Sequence, residues 1–169
     1  MREGSLPEPW LRGTLTEVPA VTRGVLHALE LAREDIEKWC SGLSDEDLNA
    51  RPAGIAPIAF HIRHIARSID RLLTYAEGES LSAEQMAELK AELDPGAMHD
   101  ESFREFHEAI EKSSARIRKF HPERFDEPRK VGKRGLPTTV GGLLVHVADH
   151  TQRHVGQAIT TAKIVAAQK

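Results

Sequence analysis

A single cysteine, Cys40, stands among 169 residues. An internal disulfide is therefore impossible, and so is a covalent c-type haem, which needs Cys-x-x-Cys-His. Long apolar runs are missing too: nothing approaches the ~20 residues that a membrane-spanning helix requires. Charge of neither sign dominates, with 23 Lys and Arg against 26 Asp and Glu for a net charge of −3. A nucleic-acid binder usually shows a basic face or stripe, which this balance does not suggest. The one basic cluster, Arg129-Lys130 with Lys133-Arg134, reads as a solvated loop, with an anion or phosphate contact as its functional alternative. Met1-Arg2-Glu3-Gly4 has neither the basic nor the apolar region of a secretion signal. These absences predict a cytoplasmic protein that meets neither membrane nor nucleic acid. Cys40 adjoins Trp39 near the end of an apolar helical face, where a buried thiol is expected rather than a nucleophile.

What is present is helical periodicity. Val21, Val25, Leu29, Ala32, Ile36, Trp39 and Leu43 recur at three- and four-residue steps and predict a first long helix. Pro57 suits a first helical turn, and Ile58, Ile62, Ile65, Ile69, Leu72 and Ala76 extend a second helix up to Gly78. Ser82-Ala83-Glu84-Gln85 reads as a capping box that opens a short satellite helix, ended by Asp94-Pro95-Gly96. Phe103, Phe106, Ile110, Ser113, Ile117 and Phe120 mark a third long helix, with Ser102 as its cap and Pro122 beyond its end. Residues 122–137, charged and rich in Pro and Gly, read as an irregular connection, after which Thr138 or Thr139 caps a fourth helix. No alternating strand pattern competes. The expected architecture is one all-α domain over residues 1–169, a four-helix bundle with long connections at 77–101 and 121–138. At this size a chain buries roughly 70% of its unfolded surface and can fold unaided.

The fourth helix carries the most unusual feature, three histidines four residues apart: His146, His150 and His154. Side chains at i and i+4 lie about 6 Å apart on one face, close enough for two imidazoles to share an ion. Leu143, Val147, Ala158, Thr161 and Val165 form a seven-residue repeat whose two missing slots are filled by His150 and His154, so both rings are expected to be buried. His146 sits a turn earlier and farther off the stripe, and is placed outside the ligand set, as a residue that supports a ligand from behind or faces the substrate. A second apolar row, Leu144, Val155, Ala162 and Ala166, reads either as core or as a homodimer face. On the second helix, His61, His64, Ser68 and Tyr75 fall together on one polar flank, at about 100° per residue. A histidine from this flank with His150 and His154 makes three protein ligands and leaves a position open for water or substrate. The helical wheel puts His61 nearer the core than His64, so both stay candidates. Two other bundle chemistries are excluded: a di-iron site needs four inward carboxylates with paired Glu-x-x-His segments, and a zinc protease needs His-Glu-x-x-His, where this chain has Thr151 after His150.

His64-Ile65-Ala66-Arg67-Ser68 on the second helix, followed by His150-x-x-x-His154-x-Gly156-Gln157 on the fourth, resembles the DinB-like superfamily over nearly the whole chain. The resemblance implies a single DinB-like helical domain with a divalent cation, zinc or nickel, held by one histidine of the second helix and two of the fourth. Carried over position by position, these are His64, His150 and His154, with His61 as a rival third ligand. Many relatives place a glutamate where Thr151 stands. Characterised relatives resemble thiol-dependent transferases and isomerases or proteins called hydrolases. The expected function is thus a metal-dependent hydrolase or low-molecular-weight-thiol transferase acting on a small molecule. Gln157 and Tyr75 are its candidate substrate-orienting residues, and Asp149 or Asp70 a candidate acceptor for an imidazole N–H. The alternative is a non-catalytic metal- or ligand-binding bundle with a structural or sensing role.

Overall fold

The computed structural model describes residues 6–168; the Met1-Arg2-Glu3-Gly4 segment read for a secretion signal lies outside them. In chain order come α1 (Ala20–Cys40), the short α2 (Asp45–Asn49), α3 (Ile58–Glu77), the short α4 (Ala83–Ala91) and α5 (His99–Ile117). Strands β1 (Pro128–Val131) and β2 (Leu136–Thr139) follow, and then α6 (Val140–Ala167). The long helices α1, α3, α5 and α6 bury most of the periodic apolar residues that form them. Leu29 and Ile36 of α1, Ile62, Ile65 and Ile69 of α3, Phe106 of α5, and Leu144 and Val147 of α6 are fully enclosed. Each such side chain contributes about 1.5–3 kcal/mol by leaving water. No helix among the described residues is long and apolar enough to cross a membrane.

Helix α6 packs against both α1 and α3, and α5 packs against the same two. Consecutive α1 and α3 therefore occupy opposite corners, as do α5 and α6. Connections 41–57 and 118–139 must cross the bundle, which accounts for their length. Neighbours α3 and α5 need no such crossing, yet residues 78–98 join them because this stretch carries α4.

Local chemistry sets the helix ends. Gly78 stops α3 in the left-handed conformation, φ 92°, which a side chain disfavours. The Ser82–Gln85 capping box opens α4, and Thr139 accepts from the Gly142 N–H to open α6. Pro57 lies at the N-cap of α3, just outside its first turn.

Several expectations need correction. Residues 128–139 are an antiparallel hairpin rather than an irregular loop, with Val131 opposite Leu136 and a turn in which Gly132 and Gly135 have φ 68° and 59°. Each strand has four residues and contains a proline, which hides the alternation that strands usually show. Helix α2 escaped notice because it is a single turn, capped by Ser44 and Asp47. Helix α5 starts at His99, not after Ser102: its first N–H is accepted by Asp45 Oδ1 of α2 at 2.6 Å, a cap distant in sequence, and Ser102 is buried inside the helix. Helix α1 ends at Cys40, so Leu43 lies beyond it, and Val21 and Trp39 are exposed. In the second α6 row, Leu144, Val155 and Ala162 are buried in the chain's own core, and only Ala166 faces out. Arg129, assigned to a solvated cluster, is half-buried and donates to the Ala76 carbonyl and to Glu127.

Candidate metal centre

The α3–α6 seam brings the histidines together. His64 of α3 and His150 and His154 of α6 each present a ring nitrogen, and these three atoms lie within 4.8 Å of one another. His64 Nε2 is 2.8 Å from His150 Nε2, and the His64 and His154 ring centroids are 4.3 Å apart. The stripe of isoleucines at Ile58, Ile62, Ile65 and Ile69 fixes the rotation of α3, so that His64, one residue from Ile65, emerges at the edge of the packed seam.

Burial of the ligand candidates differs from the heptad expectation. His150 and His154 are half-buried, whereas His61 is buried, 5% exposed. The α6 histidines occupy heptad slots at the side of the seam, and His150 opens onto a cleft there. Burial and, behind it, the neighbouring imidazoles push His61, His150 and His154 each down to about 4, so all three are neutral at pH 7. Neutral imidazole is the form that ligates a metal.

His61 does not join the group of three. Its Nδ1 lies 3.0 Å from His154 Nδ1, so it hydrogen-bonds His154 and leaves that ring's Nε2 as the remaining nitrogen. His64 is held in the same manner from the opposite side. Its Nδ1 donates to Glu92 Oε2 at 2.7 Å, and the partner assigns the proton to Nδ1, which frees Nε2 as a lone-pair donor. Phe60 stacks on the His64 ring, with centroids 5.2 Å apart.

Glu92 follows α4 directly and is 4% exposed. Arg71 Nη1 donates to its other oxygen at 2.6 Å. Burial pushes the Glu92 carboxyl up, but hydrogen bonds from His64 and Arg71 outweigh burial and hold it below the usual carboxylate range. Two further arginines of α3 fasten the segment. Arg63 Nη2 donates to the carbonyls of Ala91 and Glu92 at 2.6 and 2.8 Å. Arg67 forks onto Glu105 and reaches the Glu88 carbonyl. Sequence reasoning missed Glu92; the available signal was the row Arg63, Arg67 and Arg71, spaced by four on the histidine flank and followed by an acidic segment.

The expected imidazole acceptors lie elsewhere. Asp70 accepts from Gln85 and Arg116, away from the centre. Asp149 pairs with Arg153 and lies 3.4 Å from His146 Nδ1, outside the group. Thr151 is fully buried in the core, and its Oγ1 has no hydrogen-bond partner.

Two clefts flank the centre. One, about 250 Å³, is lined by His64 and His150 with Ser68, Tyr75, His146 and leucines of the α4 side. The other, about 370 Å³, is lined by His61, Arg153, Gly156 and Gln157. Tyr75 and Gln157, expected to share one substrate, therefore face different clefts.

An all-helical bundle with a three-histidine group at one helix seam defines a class of proteins able to hold a divalent cation. The family model of the DinB superfamily matches residues 28–158, from within α1 to Ala158 of α6, and the chain belongs to that superfamily. No curated protein matches the chain.

Proposed function

We propose that the chain is a metal-dependent enzyme in which His64, His150 and His154 hold a zinc or nickel ion, and that it acts on a small molecule as a hydrolase or as a low-molecular-weight-thiol transferase. The carrying observation is the convergence of three imidazole donors, two of which, His64 and His150, line the 250 Å³ cleft, with Glu92 fixing the nitrogen that His64 offers. The donors fit the ion: imidazole suits zinc and nickel, and a carboxylate on the far nitrogen is the usual support for a ligating histidine. A fourth protein ligand, which a closed structural site would use, is missing from the group among the described residues.

A cation bound there supplies Lewis-acid activation of water or a thiol at neutral pH. Glu92 holds the Nδ1 proton of His64, and Arg71 holds Glu92. His61 holds the Nδ1 edge of His154. Ser68 and Tyr75 bring hydroxyl groups to the cleft wall, where they orient a polar group of the substrate. His146 lies on the same wall and serves the substrate rather than the ion. Gln157 faces the opposite cleft and is not assigned to substrate.

The test is elemental analysis of tag-free protein beside its His150→Ala variant. Near-stoichiometric zinc or nickel in the parent, lost in the variant, is expected. Stoichiometric metal retained by His150→Ala would remove the site assignment and the function built on it.

A further inference from the structure

A larger cleft, about 660 Å³, opens between the end of α3 and the β1–β2 hairpin. Tyr75 lines both this cleft and the histidine cleft, so the two meet at one side chain. The hairpin is pinned in place by Arg129, whose Nε donates to the Ala76 carbonyl at 2.8 Å and whose Nη2 meets Glu127 at 2.7 Å. Arg129 is thus spent on structure. Lys130 and Lys133, also lining the cleft, have neither a hydrogen bond nor an ion pair among the described residues. Glu79 is the carboxylate on the rim, and it leaves the two ammonium groups in excess. In a chain of net charge −3, two unpartnered cations on a pinned hairpin are a local reversal of sign.

Lysine ammonium groups are compact charges on flexible stems that adapt to an anion without demanding one planar geometry. We propose that the two clefts serve one ligand: the substrate of the histidine centre carries an anionic terminus, a carboxylate or a phosphate, seated between Lys130 and Lys133. Its reacting end passes Tyr75 to reach His64 and His150. This inference rests on the enzymatic reading above and adds the substrate class to it.

The test begins with metal-free protein, so that it does not depend on the ion. Inorganic phosphate, and separately succinate, is titrated at low ionic strength while backbone amide signals of residues 78–80 and 130–135 are followed. Binding of at least one anion is expected, weakened by at least about tenfold in the Lys130→Gln/Lys133→Gln double variant. Both lysines are exposed, so the variant keeps its fold. A response to phosphate alone assigns a phosphate terminus, and one to succinate alone a carboxylate. No response to either, or an equal response in the double variant, overturns the anion site.

A second titration uses glutathione, a thiol bearing two carboxylates, with and without zinc. Zinc should tighten glutathione in the parent, and the double variant should bind it more weakly in the zinc-loaded state. If the lysines bind free anions but contribute nothing to glutathione on zinc-loaded protein, the shared ligand is refuted. If zinc itself is not retained, the metal reading fails while the metal-free result still decides the anion site.

Discussion

The α3–α6 seam and the α4 flank both serve the same histidine, yet they are built in opposite ways. The seam is apolar packing: Ile62, Ile65, Leu144 and Val147 are sealed from water, and the ligand candidates ride on helices whose rotation that packing dictates. Helix α4 buries none of its own residues. It is fastened by Arg63 and Arg67, which donate to its main-chain carbonyls at Ala91 and Glu88, and it delivers one buried carboxylate, Glu92. Packing thus sets where the donor atoms are, whereas the polar flank sets which nitrogen of His64 is free. The first concerns the existence of the site, the second its affinity.

The contrast can be broken at the seam first. Ile65→Ala should cost about 2–5 kcal/mol, because Ile65 is fully buried and its loss leaves a cavity. Thermal denaturation should show it as a large fall in melting temperature, with metal lost only as the bundle unfolds. A variant that melted like the parent but no longer bound metal would reverse the division of labour.

On the flank the expected pattern is the converse. Glu92→Gln should weaken metal binding by about 10–100-fold, the scale for a residue that supports a ligating histidine. The helical circular-dichroism signal should remain, although Arg71 loses its anionic partner and some stability goes with it. Competition with a chromogenic chelator measures the affinity. Unchanged affinity would show that the Glu92–His64 contact has no bearing on the ion.

Acid tests the comparison in a third way. Metal-free protein holds His61, His150 and His154 at about 4, against an ordinary value near 6.5 in the unfolded chain. Between these limits the unfolded state binds protons that the folded state refuses, so stability is full above about pH 6.5 and falls as pH drops toward 4. Denaturant unfolding at pH 7 and pH 5 should show the lower midpoint at pH 5. Saturating zinc, which competes with protons for the same nitrogens, should shift the fall to lower pH. A flat profile would mean that the histidines titrate as freely as in an unfolded chain.

The same contrast governs what was legible in the sequence. Apolar periodicity reports rotation of a helix about its axis, so α1, α3, α5 and α6 and the shared flank of His61 and His64 could be read directly. It does not report what a charged segment reaches across space, so α4 appeared as a satellite and Glu92 went unnoticed. The choice between His61 and His64 was open to the helical wheel because both share one flank. Only the three-dimensional position separates the ring that joins His150 and His154 from the one that hydrogen-bonds His154. The hairpin was obscured by its prolines and by strands too short to alternate visibly. Heptad slots overstated the burial of His150 and His154, since a slot says that a side chain faces the bundle and not how far the neighbouring helices close over it.

Helix α6 lies between α1 and α3 and supplies two of the three ligand candidates, so most of the chain must be made before its partner faces can be covered. During synthesis, at about 5–20 residues per second, α1 and α3 stand for several seconds with the isoleucine stripe unfilled and His64 beside Glu92 alone. A nascent chain at that stage offers no three-histidine group to any ion. Any ion taken up by the three histidines would therefore enter only after α6 has docked, and translation order would itself guard the group against premature loading.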